Sequence, residues 1–514
     1  MKKFNKNLLS AALLSAMVAP NAFAGETIAL GEDVTLDWKG TLTYSAGMRL
    51  EDQDPALNSS GNRNFDKNDL IGNGLYLLLE GHLRWENYGL VFSGSTFYDD
   101  VYQDDKFSDA AQKYHGGYTR LLDLYAYTNF AFGEAGYADF RVGRHVVAWG
   151  EGLFFPSISL AQGPSDGIKS AVPGTEVKDI LLPEDQVSMQ LEVTPDLSFL
   201  AHWQFNWQET IVPEPGSFLS TSEAVGNGAY CLVIMPDGSC AYGPRAADVL
   251  PDESGQWGAG VRYRVTDVSE IGFYYLNYAD RIPMVDIDVT KNYIPAIDFA
   301  LGEYNVVYFD DIDLYGTTFS TNVGMASIAS EITYKDGAPV LVNSMVGPLA
   351  TRGEILQSNL NAIVNFGRSW LADSVNLTVE GAYTDIMDVE PRSPTGLPMV
   401  PPSDTLYYTG HGFAAAASLS LSYPGLTQNW DLSVPIGYSH QISGRTITGG
   451  SGGEGDYRAR IGATFTHHRT GVQLTLQYVG YFGDPAEAAA ENDPVKERSL
   501  ADRDNIAFTA KWAF

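Results

Sequence analysis

Basic side chains are scarce in this chain. Its 32 lysines and arginines stand against 63 aspartates and glutamates, a formal net charge of −31. No basic stripe exists to release counterions from a phosphate backbone, so nucleic-acid binding is disfavoured. Long apolar runs are missing as well. No stretch after the N-terminus approaches the ~20 continuous apolar residues of a membrane helix, so any membrane-spanning part has to be a barrel. Cysteine is limited to Cys231 and Cys240, and the eight histidines are scattered without metal-ligand spacing. No metal or other cofactor is implied.

Lys2, Lys3 and Lys6 precede an apolar run from Leu8 to Ala19, and Ala22-Phe23-Ala24 supplies an A-x-A site before Gly25. This reads as a secretory signal peptide, residues 1–24, cleaved after Ala24. Cleavage removes three lysines and leaves residues 25–514 more acidic still. In an exported chain, Cys231 and Cys240 flanking Pro236-Asp237-Gly238 read as a disulfide closing a loop, within a long loop at 209–255. The acidity fits solvation of long exposed loops, or carboxylates that bridge through divalent cations to the outer-membrane lipid and lipopolysaccharide outside.

What the chain does have is period-2 alternation. Val34, Leu36, Trp38, Leu42, Tyr44, Ala46 and Met48 fill one phase, while Thr35, Asp37, Lys39, Thr41, Thr43 and Ser45 fill the other. Leu75, Leu77, Leu79, Leu83 and Trp85 alternate with Glu80, His82 and Arg84, and the pattern recurs to the C-terminus. There Ile506, Phe508, Ala510, Trp512 and Phe514 oppose Asn505, Thr509 and Lys511. One phase meets lipid and the other a polar interior. A soluble sandwich also alternates, but it does not keep aromatics at so many strand ends. A final strand ending in an aromatic, with Phe508, Trp512 and Phe514 in one phase, resembles the signal read by the barrel-assembly machinery of Gram-negative bacteria.

Short turns near 86–89, 133–136, 194–196, 266–267, 321–324, 424–428 and 467–470 alternate with long polar loops. The loops fall at 51–74, 99–119, 149–185, 209–255, 280–311, 336–355, 385–409, 441–455 and 483–503. The alternation predicts an all-β transmembrane antiparallel barrel of about 18 strands, within a range of about 14 to 20, monomeric, occupying 25–514 as one unit. Short turns and both termini lie on the periplasmic side and long loops outside. The phase blurs near Ile271, Ile312 and Ile328, and Pro435 inside a strand predicts a bulge.

Formal catalytic patterns lack their context. Gly449-Gly450-Ser451-Gly452-Gly453 fits G-x-S-x-G without a strand-turn-helix, and Gly450, Gly452 and Gly455 fit G-x-G-x-x-G without a βαβ unit. No catalytic residue is predicted. The inward phase carries charges of both signs: Asp37, Lys39, Glu80, His82, Arg84, Asp123, Arg141, Arg262, Arg264, Glu331, Glu380, Arg458, Arg460 and Lys511. They can form a structural network across strands, or bind or constrict a solute.

Residues 149–185 are too apolar for an ordinary exposed loop. Folded into the lumen as a plug or gate, the segment would bury Phe154, Phe155, Ile180, Leu181 and Leu182 beside Trp149. Glu151, Glu176 and Asp179 would then be left to pair with lumen arginines. Packing against other outer loops is the alternative. Arg144 falls in the lipid phase of its strand, which places it at the rim or in a bulge.

Three stretches carry a family resemblance: Arg63-Asn64-Phe65-Asp66-Lys67, Gly143-Arg144-His145-Val146-Val147-Ala148-Trp149-Gly150-Glu151, and Val172-Pro173-Gly174-Thr175-Glu176-Val177-Lys178-Asp179-Ile180-Leu181-Leu182-Pro183. In these the chain resembles the family called domain of unknown function 1302, whose members are proteobacterial outer-membrane proteins. The resemblance spans nearly the whole mature chain, with its most specific motifs before about residue 210. It implies passage of a hydrophobic or lipid-like molecule across the envelope, together with a partner lipoprotein and an inner-membrane permease of the resistance-nodulation-division class. It carries over no catalytic residue. A filled-lumen structural or receptor barrel, and an outer-membrane enzyme, are the alternative expectations.

Overall fold

The computed structural model describes residues 27–514 apart from 58, 236–237, 295–298, 301, 449, 451 and 487–492. The signal peptide with its cleavage site, Pro236 and Asp237 of the turn between the cysteines, and Gly449 and Ser451 of the glycine-rich pattern lie outside the described residues.

Eighteen antiparallel strands close on themselves. In chain order they are β1 (Val34–Arg49), β2 (Leu70–Trp85), β3 (Tyr88–Asp99), β4 (Thr119–Phe132), β5 (Gly136–His145) and β6 (Glu184–Thr194). There follow β7 (Leu197–Gln204), β8 (Trp257–Thr266), β9 (Ser269–Tyr278), β10 (Ile312–Val323), β11 (Ala326–Ser344) and β12 (Gly347–Gly367). The last six are β13 (Ser374–Val389), β14 (His411–Tyr423), β15 (Trp430–Ser443), β16 (Tyr457–His467), β17 (Gln473–Phe482) and β18 (Asn505–Ala513). Each pairs with its neighbour in sequence, and β1 pairs with both β2 and β18, which removes the sheet edges. A two-residue strand, Ile28–Ala29, lies against β1.

The closing seam is written in small and large residues. Gly40 and Phe514 exchange backbone hydrogen bonds of 2.8 Å each way. A Cβ at Gly40 would sit 2.5 Å from the Phe514 ring, so any larger residue there would force the terminal aromatic to shift. Phe514 packs on Trp38 and Trp512, at ring distances of 6.2 and 4.9 Å, while Phe508 faces outward.

Exposed side chains on the outward phase are apolar, with aromatics toward both rims, as a bilayer-facing surface requires. Trp85, Tyr88, Phe130, Tyr263 and Phe465 stand toward the turn end; Trp203, Trp257, Tyr315, Tyr383 and Tyr457 stand toward the loop end. At the loop end the rings form a cross-strand chain, Trp257 to Tyr275 to Tyr315, at 5.2 Å per step.

The blurred phase near Ile271 and Ile312 has a structural cause. On β9 and β10 the inward residues Tyr274, Leu276, Ile312 and Leu314 are apolar and buried, while Phe273, Tyr315 and Phe319 on the other phase are exposed. Both faces of these strands are apolar, so alternation disappears. The inside of the barrel is therefore not uniformly polar, as alternation alone predicts.

Two local expectations are corrected. Residues 336–355 are not a long loop but the upper part of a hairpin whose strands β11 and β12 run 19 and 21 residues and turn at Met345 and Val346. A register shift between Lys335 and Ala338 bends the strand partway up. At Pro435 the pairing of β15 with β16 passes from Ser433–Thr464 to Ile436–Ile461. Two residues drop out on each strand, so the missing N–H leaves an unpaired interval and no bulge.

At the loop end the connections fold over the mouth. Phe65, Tyr102, Phe107 and Phe218 from three loops form one buried cluster. Arg49, fully buried, pairs with Asp502 at 2.9 Å and donates to the Phe65 carbonyl at 2.8 Å, tying the first loop to the last. The loop at 209–255 contains the disulfide Cys231–Cys240, which links the two strands of a small hairpin, Cys231–Ile234 and Cys240–Pro244.

Candidate functional site

β5 ends at His145 and β6 begins at Glu184, and the residues between them run through the barrel interior. They contain three short helices, Ile158–Gln162, Gly167–Ser170 and Val177–Ile180. Trp149 packs edge-on to His202 of β7 and against Tyr274 of β9, with ring distances of 5.0 and 5.8 Å. Ile158 is fully buried among Leu200, Leu276 and Leu314. Across the lumen Phe155 sits on Ala382, Ala414 and Ala416, small residues on β13 and β14 that leave room for its ring.

Two inward carboxylates hold this crossing. Glu331 of β11 accepts from the amides of Ser157 and Ile158 on one oxygen, at 2.9 and 3.1 Å, and from Glu151 and Gly152 on the other, at 2.9 and 3.3 Å. Glu380 of β13 accepts from Leu153 at 3.0 Å, from Phe154 and from Phe155 at 3.4 Å, all on one oxygen. From β12, Asn361 and Asn359 donate to the carbonyls of Glu151 and Phe155, at 2.6 and 2.5 Å. Irregular backbone away from water must find partners, and a carboxylate accepting several N–H groups supplies strong, charge-assisted ones.

The second half of the segment is fixed to the opposite wall. Lys178 bridges Glu80 of β2 and Asp123 of β4 at 2.9 and 3.0 Å. Burial opposes its charge, but the hydrogen bonds to both carboxylates outweigh it and raise the lysine above its ordinary value. Asp123 reaches it because β4 is bulged: Phe92 pairs with Leu124 but Gly94 pairs with Leu121, so Leu122 and Asp123 both turn inward. Arg120 holds Asp166 at 2.7 Å and Asp179 at 3.5 Å. On the closing strand Lys511 pairs with Glu176 at 2.9 Å, and Thr509 donates to the Pro173 carbonyl at 3.2 Å. Gly174, at φ +86°, lies where a Cβ would be 2.5 Å from Thr509.

Several expected partners differ. Glu176 meets a lysine, and Asp179 meets Arg120, a residue absent from the expected lumen charges. Glu151 has no ion pair within 4 Å among the described residues, because Arg141 pairs with Asp139 and Arg262 with Glu270 instead. Leu182 is buried with Leu78 and Leu122 and Ile180 is half-buried, but Leu181 remains exposed. Asp37 pairs with Arg84, and His82 bonds Tyr127 at 2.8 Å. Lys39 stands 3.8 Å from Glu80, and Arg458 pairs with Asp456 at 2.8 Å. Arg264 is exposed near the turn end, while Arg144 lies at the loop rim beside Asp185, in a ladder without register shift.

The segment separates two cavities. On the turn side about 370 Å³ is lined by Asp139, Arg141, Glu151, Ser188, Gln190 and Arg262. Toward the loops about 250 Å³ lies between residues 167–173 and the walls of β1–β3 and β16–β18. Lys169 lines this second cavity at 3% exposure, its ammonium 4.2 Å from the centre of the Tyr76 ring. Burial pulls its pKa down to about 7, against the attraction of Asp166 and Asp179. His115, also in the lining, is held neutral by burial, with its pKa down to about 3, and accepts from the Glu214 amide at 3.2 Å.

Sequence reasoning found no convincing serine, yet Ser188 Oγ lies 2.7 Å from His145 Nε2 on neighbouring strands. The other imidazole nitrogen meets the Gly143 carbonyl at 2.9 Å and not a carboxylate, so the third member of a catalytic triad is missing. Among the described residues no cluster of three or more His, Cys, Asp or Glu side chains is arranged to hold a metal.

A family model described as "Protein of unknown function (DUF1302)" matches residues 6–514. No curated protein matches the chain. Among solved structures, OccAB4 of Acinetobacter baumannii is similar at 10% identity and a TM-score of 0.46, over 94% of this chain and 98% of that one. The outer membrane protein opdK of Pseudomonas aeruginosa is similar at 10% identity and a TM-score of 0.45, over 93% and 98%.

Proposed function

We propose that this chain, which belongs to the family of proteins of unknown function 1302, is an outer-membrane transport barrel that passes a hydrophobic or lipid-like molecule, with residues 149–183 as its gate. One observation carries the reading: a single segment crosses the lumen between two cavities and is held there by side chains, not by continuous sheet. Hydrogen bonds and ion pairs of this kind can be exchanged one at a time, and an 18-strand barrel is wide enough to conduct once its contents move. The apolar inner wall of β9 and β10, which Trp149 and Ile158 of the segment cover, would be uncovered when the segment moves, and this supports an apolar cargo. The wider assembly, with a partner lipoprotein and a resistance-nodulation-division permease, belongs to the same proposal and rests on the family resemblance.

The anchoring on both walls favours a second reading, a permanently filled structural or receptor barrel. Single-channel conductance of the purified barrel separates the two. Deletion of residues 154–180 raises conductance severalfold if the segment is the gate. Unchanged conductance in a folded deletion variant overturns it.

A further inference from the structure

We propose that the loop-side cavity is a binding site for an amphipathic carboxylate, with Lys169 and Arg460 receiving the anionic head and the aromatic and aliphatic lining receiving the tail. The proposal rests on the transport reading for its purpose, but not for its chemistry. Lys169 is nine-tenths buried and more, lines the cavity, and has no carboxylate within 4 Å among the described residues. Its ammonium lies over the Tyr76 and Phe97 rings, at 4.2 and 2.9 Å from their centres, an electrostatic contact that leaves its hydrogen-bonding capacity unused. Arg460 enters the same lining and makes no ion pair among the described residues.

The nearby carboxylates do not answer these cations: Asp166 and Asp179 attract Lys169 from beyond 4 Å but are held by Arg120. Asp99 is committed to the end of β3: it accepts from the Asn73 amide at 3.0 Å and the Val101 amide at 3.1 Å. His115 is neutral, since it accepts a backbone N–H. A buried ammonium without a partner is costly, which is why burial draws the lysine down to about 7, and an anion beside it would hold it charged. An anion supplied from outside completes the site. Ile71, Ile168, Val172, Phe218 and Val479 form apolar lining beside it. At about 250 Å³ the cavity lies just below the usual small-molecule range of roughly 300–1,000 Å³, which suits one single-headed amphiphile.

The test titrates the full barrel, reconstituted in nanodiscs, with decanoate and with decanol. Decanoate is expected to bind at least tenfold more tightly than decanol. Lys169→Met, which keeps the stem and removes the charge, abolishes that preference while decanol binding persists; Arg460→Gln weakens decanoate severalfold. Folding of each variant is read from heat-modifiable mobility, and Arg460→Gln carries the test should Lys169→Met not fold. Equal affinities in the unaltered barrel, or wild-type decanoate affinity in the folded variants, overturn the site. Conductance is not the readout. Decanoate preference in a barrel whose deletion variant conducts nothing new sinks the transport reading alone. Gating without decanoate preference sinks this site alone.

Discussion

The carboxylate of Glu331 grips the turn at Ser157 through one oxygen, 2.9 Å from the amide nitrogen, while its second oxygen holds Glu151 and Gly152. One side chain on the barrel wall thus fixes both ends of an eight-residue excursion of the segment.

Glu331→Gln replaces one accepting oxygen with a donor that faces backbone N–H groups, so at least one amide loses its partner, at about 1–3 kcal/mol. Glu380→Gln is milder, because Glu380 uses one oxygen for all three amides and its other, buried oxygen has no partner among the described residues. Open-channel events are expected to rise clearly in the first variant and little in the second. The reverse order in single-channel recordings counts against the cradle.

Ser157 and Thr333 touch through their hydroxyls at 2.8 Å. Cysteines at both positions should cross-link the segment to β11 under oxidation and suppress any conductance linked to its motion. Reductant should restore it, with the unaltered protein, which retains Cys231–Cys240, as control. Full conductance in the cross-linked form would mean that the segment moves elsewhere or not at all.

Arg49→Ala removes the nearer of two arginines from buried Asp502, which keeps Arg503 at 3.6 Å and the Asp54 amide at 2.9 Å, and it removes a donor from the Phe65 carbonyl. Losing buried, charge-assisted hydrogen bonds of this kind costs about 1–3 kcal/mol. Urea unfolding of the barrel in vesicles should register the loss, whereas Lys67→Ala, which breaks an exposed pair with Asp52, should register almost none.

His115 titrates abnormally. Burial lowers its folded pKa to about 3 from an ordinary 6.5, so between those values the unfolded loop takes up a proton that the folded one cannot. Its contribution is fully present above about pH 6.5 and is lost as pH falls toward 3. Protection factors of the amides of residues 100–118, with the intrinsic exchange rate at each pH divided out, should fall between pH 7 and 5, and His115→Gln should flatten that dependence.

The barrel was legible because alternation is a property of each strand alone. Phe508, Trp512 and Phe514 needed no tertiary knowledge, and the motif around Trp149 announced an unusual segment by its apolar content. What stayed hidden depends on pairs distant in sequence. Arg120 lies in a strand whose bulge at Leu122 and Asp123 erases the phase, so its role with Asp179 had no local signal. Lys169 looks like any loop lysine until the fold buries it. Glu331 and Glu380 stood out as inward charges, but their partners are backbone amides, which carry no side-chain signature.

The closing strand touches the lumen segment directly, through Thr509 on Pro173 and Lys511 on Glu176. That contact sets an order of events during biogenesis. β18 completes the ring by meeting β1, and a segment already in place gives it polar partners on its inner face as it does so. A ring closed before the segment enters would leave Thr509 and Lys511 without these partners. The barrel is therefore expected to close around its contents.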